Sequence, residues 1–226
     1  MNRTIQADFD AIARATPQCG RPDHNSLYHP LILRHLSKKR GHALDIGCGM
    51  GDLAGLLAGE FSSVTGIDFS HEMIGRARRN LADRNNVTLL ERDVLAFRSN
   101  GQQFDTIVSV ATFHHLPLEQ IFPLCKEWLA PDGVLIVLDL YRARSIVDFS
   151  LAGIAYAANT ADRLIGKGYG GQTKAERAAW NQHGRHEHYY ALNEIEHAAR
   201  EVLPGSEVRR LLYWRYLFVY QKGATR

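Results

Sequence analysis

Residues 43–52, ALDIGCGMGD, combine the pattern of a buried strand with a glycine-rich turn. The first four residues, three of them apolar, are typical of a strand that is covered on both faces of a sheet. Gly47, Gly49 and Gly51 interrupt this strand, because glycine permits positive φ and a close approach of the backbone to a ligand. A helix predicted at 52–60 would point its free N–H groups at the turn, where they stabilise an anionic group. The segment therefore predicts a ligand-binding strand–turn–helix unit.

The spacing of the glycines indicates which kind of ligand is bound. In the dinucleotide fingerprint Gly-x-Gly-x-x-Gly, the third glycine would fall at Asp52. A carboxylate there repels a pyrophosphate, which counts against a nucleotide-dependent oxidoreductase. Asp45 and the helix N-terminus instead suit a zwitterion, whose ammonium and carboxylate groups they would meet. A plainer alternative stays open, in which the glycines only let the strand and helix pack closely.

Composition favours one large α/β domain, or one domain with an insertion. The chain has 226 residues, of which 45% are hydrophobic, and a formal net charge of +3. Its basic residues are scattered along the chain, which is typical of solvated surface and does not favour a nucleic-acid partner. Three cysteines without a Cys-x-x-Cys pair predict a reducing, cytoplasmic location, and no segment has the pattern of a signal peptide or membrane span. We expect no membrane partner, and a monomer or homodimer.

A second strand, predicted at 63–67, ends in an acid. Asp68 falls 21 residues after Gly47 and can accept hydrogen bonds from both hydroxyls of a ribose. Phe69 follows it, and Ser70 is predicted to cap the next helix. This pattern indicates a nucleoside at the tip of the second strand.

A further acid follows the third predicted strand, at 86–90. Asp93 and Val94 lie just beyond that strand, and Asp93 can accept from an adenine amino group. Met73, on the preceding helix, is near enough to the strand tip to touch the adenine face, but packing in the core explains it equally well.

The fourth strand, predicted at 104–110, leads directly into a polar loop. This loop, 111–116, contains His114 and His115 and lies at the carboxyl edge of the sheet, where open α/β sheets bind ligands. A helix at 117–129, a turn at 131–133 and a fifth strand at 134–140 are predicted to follow.

Taken in order, these segments resemble the class I S-adenosylmethionine-dependent methyltransferases, in particular the small-molecule branch. The resemblance covers about residues 44–140 and is carried by LDIGCGMG, GIDFS, RDV, FDTIVSVATFHHL and LAPDGVLIVLDL. It implies a Rossmann-like, doubly wound, mostly parallel seven-stranded sheet with an antiparallel C-terminal strand. It also implies S-adenosylmethionine as the cofactor and a small-molecule acceptor, methylated on oxygen or nitrogen.

The resemblance also implies roles for individual residues. The glycines of the turn would line the methionine moiety, Asp68 the ribose, and Asp93 with Val94 the adenine. The complete set of predicted cofactor-binding residues is Asp45, Gly47, Gly49, Gly51, Asp68, Phe69, Met73, Asp93, Val94 and Val110.

The chain outside the core is predicted to form three further parts. These are an N-terminal helical segment (1–41) before the core (42–140), a helical cap inserted at 141–192, and a C-terminal helix and hairpin (193–226) that complete the sheet. The cap would comprise an apolar helical stretch at 146–164, a glycine-rich hinge at 166–171 and a histidine-rich loop at 181–190. In this family such insertions often cover the active site, although an inert surface insertion is an open alternative. A helix at 193–202 is expected to begin with a capping pair, Asn193 and Glu196.

The predicted acceptor-binding residues come from both flanking segments and from the fourth-strand loop. They are Tyr28, His115, Tyr141, His186 and Tyr190. For Tyr28, simple packing is the plainer alternative.

Methyl transfer from a sulfonium is an in-line displacement, so the protein has mainly to align the reactants. His115 is the predicted catalytic base because it follows the fourth strand and histidine titrates near neutrality. His114, a cap histidine, or proximity without any base are alternatives. A non-catalytic S-adenosylmethionine-binding module also stays open.

No metal is predicted in the site. Metal-dependent relatives of the catechol type carry an acid at the end of the fourth strand and an Asp-Asn pair after the fifth, where this chain has Val110-Ala111 and Leu140-Tyr141. Zinc binding by His183, His186 and His188 is disfavoured because their spacing is irregular.

Overall fold

The computed structural model describes residues 3–17, 25–143 and 173–224. The α-helices are α1 (Arg3–Ala15), α2 (His29–Leu33), α3 (Asp52–Leu57), α4 (His71–Asn80), α5 (Leu118–Trp128), α6 (Lys174–His183) and α7 (Leu192–Arg200). The strands are β1 (His42–Ile46), β2 (Ser63–Asp68), β3 (Val87–Glu91), β4 (Phe104–Val110), β5 (Leu129–Leu140), β6 (Glu207–Arg210) and β7 (Arg215–Gln221).

The strands form one seven-stranded sheet in the order β3-β2-β1-β4-β5-β7-β6. Strands β1 to β5 pair in parallel, and β7 runs antiparallel to both of its neighbours. Ile46 at the end of β1 pairs with Ile67 of β2 and with Ser109 of β4. The carboxyl ends of the central strands therefore meet at one edge. The predicted mostly parallel Rossmann-like sheet with an antiparallel C-terminal strand is confirmed.

Apolar side chains cover both faces of this sheet. On one face, Phe122 of α5 stacks on Phe218 of β7 with ring centroids 5.2 Å apart, and Trp128 is fully buried. On the other face, α2 and α3 pack on β1 and β4 through residues such as Ile32 and Leu57. Burial on both faces explains why the central strands are nearly continuous apolar runs.

Two predicted element boundaries are wrong. The turn expected at 131–133 is an irregularity inside β5: between the pairs Phe104–Leu129 and Thr106–Val134, β4 advances two residues while β5 advances five. Asp132 has φ +65° there, so the extra residues bulge without ending the strand. Helix α7 begins at Leu192, where the Glu194 carboxylate accepts from the Ala191 N–H at 2.7 Å, and Asn193 is therefore inside the helix.

The predicted cap falls largely on residues 144–172, so the apolar stretch and the hinge lie outside the described residues. The histidine-rich stretch 181–190 is only partly a loop, because residues 181–183 belong to α6. Helix α1 packs against both α6 and α4. In the part of the chain that the structure describes, no helix is both long and apolar enough to cross a membrane.

Candidate active site

The glycine turn after β1 is fixed to its neighbours by backbone contacts. The N–H groups of Gly47 and Cys48 both donate to the Ile67 carbonyl, at 2.8 and 3.0 Å. Gly47 has φ +72°, and a Cβ built on it would lie 2.0 Å from Oγ1 of Thr112. Glycine is therefore required at 47 both by backbone conformation and by the close approach of the loop after β4.

Asp68 ties the glycine turn to the end of β2. One carboxylate oxygen accepts from the Gly49 N–H at 3.0 Å and the other from the Ser70 N–H at 2.9 Å. Burial raises the pKa of Asp68 to about 6, although these two backbone donors act in the opposite direction. Each oxygen keeps a second lone pair, so the carboxylate can still accept from a ligand.

Asp45 is the buried acid beneath the glycine turn. It is 1% exposed, and its Oδ2 atom has no hydrogen-bond partner among the described residues. Burial, together with the nearby Asp68 carboxylate, raises the pKa of Asp45 to about 7. A buried acceptor of this kind is costly unless a ligand supplies the donor. We call residues 45–51 with Asp68 and Thr112 the glycine cleft.

The wall of the glycine cleft continues onto the ends of β2 and β3. A cavity of about 20 Å³ opens there, lined by Ile46, Gly47, Ile67, Asp68, Phe69, Arg92, Val94 and Thr112. Asp93 accepts from the Leu95 N–H at 3.0 Å, which holds its carboxyl group at the strand end. Small-molecule sites typically measure several hundred Å³. This cavity therefore accounts for only a small part of the space that a nucleoside would occupy.

Met73 and Val110 lie beside the cavity lining but are not part of it. Met73 is 5% exposed and packs with Ile12 and Ala13 of α1, so the packing interpretation accounts for it. Val110 is half-buried, and its carbonyl accepts from the Thr112 hydroxyl at 3.1 Å. Gly51 has φ +90° and faces the side chain of Leu81, which makes it a packing position as well as a turn position.

His114, in the short 3₁₀ turn after β4, is held by an acid at the end of β5. Its Nδ1 lies 2.7 Å from Oδ1 of Asp139, and its backbone N–H donates to Oδ2 of the same carboxylate at 2.8 Å. Burial opposes the charged imidazolium, but the Asp139 carboxylate and the nearby Glu187 outweigh it and raise the pKa of His114 to about 9. His114 therefore has a fixed orientation, with Nε2 turned away from Asp139.

His115 does not titrate near neutrality, contrary to the basis on which it was predicted as the base. Burial, followed by positive charge on His114 and His183, lowers the pKa of His115 to about 3. Its Nε2 is buried and has no hydrogen-bond partner among the described residues. The neutral ring is thus a weak proton acceptor, and its lone pair is available for another kind of bond.

Residues from the segment after α6 complete the surroundings of these two histidines. Oε1 of Glu187 lies 3.7 Å from Nε2 of His114 and 3.3 Å from Nε2 of His183, and the Tyr189 hydroxyl donates to Oε2. Burial would raise the pKa of Glu187, but these neighbours lower it well below the usual range. We call His114, His115, Asp139, His183, Glu187 and Tyr189 the histidine cluster.

Helix α1 covers the space between the glycine cleft and the histidine cluster. The Phe9 ring contacts Phe69, His115 and His183, with centroids 5.9, 5.6 and 4.6 Å away. Asp8, which is 8% exposed, accepts from Nδ1 of His186 at 2.8 Å. These contacts place the two groups of residues on the same edge of the sheet, under one helix.

The other predicted acceptor residues have specific structural partners. Tyr28 donates to the Leu212 carbonyl at 3.1 Å, and Tyr190 donates to the Leu116 carbonyl at 3.0 Å. Tyr141 is 4% exposed within the main core. The structure thus brings His115, and His186 through Asp8, near the site, whereas Tyr28 packs on the α3 side of the sheet and Tyr141 and Tyr190 pack in the main core.

Sequence reasoning missed several residues of the site. Asp139 had a visible signal, since it is the one acid in the apolar run VLIVLDL, but it stands one residue before the positions that were compared with metal-dependent relatives. Phe9, Glu187 and Tyr189 had no such signal. They lie far from residues 114–115 in sequence and are brought there only by the packing of α1 and α6.

Comparison with known proteins identifies the central segment. Residues 43–133 match a family model described as a methyltransferase domain. A ubiquinone biosynthesis O-methyltransferase of Coxiella burnetii is 27% identical over 139 residues, which is 59% of this chain and 59% of that protein. An uncharacterised methyltransferase of Mycobacterium bovis is 27% identical over 179 residues, covering 79% of this chain and 85% of the relative. The matched region thus spans less than two thirds of the length of the first of these relatives.

A solved structure extends the likeness to the whole fold. The N-methyltransferase NodS of Bradyrhizobium japonicum, in complex with S-adenosyl-L-homocysteine, superposes with a TM-score of 0.66 at 18% identity and covers 99% of this chain and 100% of that one. The strand order, the glycine turn with its two strand-end acids and the matched domain agree with the resemblance found in the sequence. Residues 43–133 thus match a methyltransferase domain, and the chain has the same fold as that N-methyltransferase.

Proposed function

We propose that the protein transfers the methyl group of S-adenosylmethionine to an oxygen or nitrogen of a small-molecule acceptor. The observation that carries this proposal is the buried Oδ2 of Asp45, which has no hydrogen-bond partner among the described residues and lies beneath a positive-φ glycine turn. This arrangement fits the ammonium group of the methionine moiety. The histidine cluster lies at the same sheet edge and provides polar groups for an acceptor.

On the cofactor side, each residue of the glycine cleft has a role that its geometry supports. Asp45 would accept from the ammonium group, and Asp68 would accept from the ribose hydroxyls with its remaining lone pairs. Asp93 and Val94 would bound the adenine, as the family resemblance implies. When bound, the cofactor supplies a methyl group on a sulfonium, and the chain has to hold it in line with the acceptor.

On the acceptor side, the proposal places the small molecule between Phe9, His115 and the histidine cluster. Phe9 excludes water there, because its ring lies against Phe69 and His115. His114 is oriented by Asp139, so its Nε2 atom faces Glu187 at 3.7 Å and is one of the polar groups beside the acceptor. Tyr28, Tyr141, His186 and Tyr190 stay proposed as residues that shape the outer part of this pocket.

The finer features predicted from the sequence belong to the same proposal. They are a cap formed by residues 141–192, a cytoplasmic location, an acceptor that is not a nucleic acid, and a monomer or homodimer. The packing of α6 on α1, directly over the site, supports the cap. Size-exclusion chromatography with light scattering measures the oligomeric state.

Titration calorimetry with S-adenosylhomocysteine tests the cofactor assignment. We expect binding at low micromolar affinity or tighter, and no measurable binding of NAD. Asp68→Ala should weaken binding by about 1.5–3 kcal/mol, the range for losing charge-assisted hydrogen bonds. The matched control is Glu91→Gln. Glu91 of β3 lies opposite Asp68 in the sheet, but its side chain is exposed and contacts His71 rather than the glycine cleft.

A screen with methyl-labelled S-adenosylmethionine against phenols, carboxylates and amines tests the reaction itself. Product formation that is lost in Asp68→Ala and kept in Glu91→Gln supports the proposal. Equal affinity of the wild type and Asp68→Ala for S-adenosylhomocysteine would show that the ribose does not lie at Asp68.

A further inference from the structure

Three side chains of the histidine cluster converge on one point. One ligand atom from each of His114, His115 and Glu187 lies within 4.8 Å of the corresponding atoms of the other two. Bonds from an ion to imidazole nitrogen or carboxylate oxygen measure about 2.0–2.2 Å, so ligand atoms at tetrahedral positions on one ion are about 3.4 Å apart. The 3.7 Å between His114 Nε2 and Glu187 Oε1 is close to this spacing, and side-chain movements of about 1 Å would bring the third ligand atom onto the same ion.

The two imidazole nitrogens lack other partners, whereas the Glu187 carboxylate also contacts His183 and Tyr189. The Nε2 atoms of His114 and His115 are buried, and neither has a hydrogen-bond partner among the described residues. The distance of 3.7 Å between His114 Nε2 and Glu187 Oε1 is too long for a hydrogen bond. Burying such groups unpaired is unfavourable, and a cation would satisfy both nitrogens and the carboxylate together.

Asp139 holds His114 in the same way that a carboxylate behind a metal site holds a metal-bound histidine. A ligating histidine usually donates its other ring N–H to a carboxylate or carbonyl, which fixes the tautomer and turns the free nitrogen toward the ion. Here the Asp139 carboxylate hydrogen-bonds Nδ1 of His114 at 2.7 Å. It also accepts from the backbone N–H groups of His114 and Leu140. The His114 side chain is 3% exposed and that of Asp139 is fully buried, so this orientation is held by the core.

We propose that His114, His115 and Glu187 form a binding site for a divalent transition-metal ion such as Zn²⁺. Two imidazoles and one carboxylate are a ligand set that holds such ions while leaving a coordination position open. His183, whose Nε2 is 3.3 Å from Glu187 Oε1, lies beside the site. The sequence alone favoured no metal, because Glu187 lies 72 residues after His115 and only the fold brings them together.

The role of the ion rests on the proposed function, but its binding does not. An ion with one open position would lower the pKa of a hydroxyl group bound there, which suits an acceptor that is methylated on oxygen. Metal binding is measured without cofactor or acceptor, so its failure and the failure of methyl transfer are distinguishable.

The test uses the full-length chain without an affinity tag, after treatment with a chelator. Zinc chloride is titrated by calorimetry, and cobalt chloride is followed by visible absorption, which reports the coordination of the ion. We expect one ion per chain at micromolar affinity or tighter. Glu187→Gln and His115→Ala should each weaken binding at least about tenfold, and Asp139→Asn, which alters only the positioning of His114, by about 10–100-fold.

His188→Ala is the matched control, because His188 is exposed, lies in the same segment and contacts Tyr190 rather than the convergent atoms. It should bind Zn²⁺ as the wild type does. Thermal melting and S-adenosylhomocysteine binding show whether each variant is folded. Absence of Zn²⁺ and Co²⁺ binding by the folded wild type, or equal affinity in His115→Ala and His188→Ala, overturns the proposal.

Discussion

The glycine cleft and the histidine cluster lie at the same sheet edge but are assembled differently. The glycine cleft is held mainly by backbone groups. The Gly47 N–H donates to the Ile67 carbonyl and the Gly49 N–H to the Asp68 carboxylate, both at the end of the neighbouring strand β2. The histidine cluster is built from side chains that belong to the β4–α5 turn, the end of β5 and the segment after α6. The first is therefore set mainly by the backbone of one turn and of the strand ends beside it, and the second depends on how distant side chains pack.

We therefore expect one added methyl group to destabilise the glycine cleft more than the histidine cluster. In Gly47→Ala, the new Cβ would lie 2.0 Å from Thr112 Oγ1 at a backbone φ of +72°. Strain and overpacking together should lower the free energy of unfolding by about 2–5 kcal/mol, and S-adenosylhomocysteine binding should be lost. Chemical denaturation and calorimetry measure both effects.

Gly49→Ala is the control for this prediction. Its φ of +51° is also positive, but an added Cβ meets no atom within 4 Å. Only the strain of placing a Cβ at positive φ, about 1–2 kcal/mol, should then lower the free energy of unfolding. Equal destabilisation in the two variants would show that the contact with Thr112 is unimportant.

Asp45→Asn should change how the stability of the ligand-free protein depends on pH. Because burial raises the pKa of Asp45 to about 7, above the ordinary 3.8, the folded state holds a proton that the unfolded state releases. The stability contributed by this group is complete below pH about 4 and is lost as the pH rises through about 7. Relative to Asp45→Asn, the wild type should lose up to about 4 kcal/mol between pH 4 and 8, a value set by a pKa shift of about three units.

Denaturation of both proteins at several pH values checks this prediction. Parallel stability profiles for the wild type and Asp45→Asn would contradict the raised pKa. Such a result would mean that a donor outside the described residues reaches the Asp45 carboxylate.

Cofactor binding by the glycine cleft should itself depend on pH. The ammonium group of the ligand favours ionised Asp45, so affinity for S-adenosylhomocysteine should rise as the pH increases through about 7. Affinity should rise about 30-fold between pH 5.5 and 8, because at pH 5.5, 1.5 units below the pKa, only about 3% of Asp45 is ionised. Asp45→Asn should bind more weakly and lose most of this dependence, whereas a pH-independent wild type would place the ammonium elsewhere.

The smallest expected effect concerns the contact that joins α1 to the segment after α6. His186→Ala removes the 2.8 Å hydrogen bond to Asp8, whose side chain is 8% exposed, while the His186 side chain is 33% exposed. The free energy of unfolding should fall by about 0.5–1.5 kcal/mol, and affinity for S-adenosylhomocysteine should stay within about threefold. His188→Ala, in the same segment, should leave stability unchanged within error. A large loss of affinity in His186→Ala would show that α1 contributes directly to the glycine cleft.

Sequence patterns predicted most strands, the glycine turn, the strand-end acids and the Ser70 cap, whose hydroxyl accepts from the Met73 N–H at 3.1 Å. These features are local, because positive φ, strand burial and helix capping each depend on a few adjacent residues. The predicted boundaries at 131–133 and at Asn193 were wrong for a related reason. The pairing of Leu129 with Phe104 and the backbone bonds of Asp132 and Gly133 to Lys222 continue β5 through a turn-forming sequence. In α7, the Glu194 side chain caps the helix from within its first turn.

The sequence by itself predicted a Rossmann-like methyltransferase core with a glycine turn at residues 45–51. Only the tertiary structure decided which side chains surround the two histidines after β4. It places Asp139 beside His114, lowers the pKa of His115 and brings Glu187 to both histidines. These effects require contacts between residues as far apart as 73 positions in the chain. The physical reason is that backbone conformation is set by near neighbours, whereas burial and electrostatic environment are set by whatever the fold packs around a side chain.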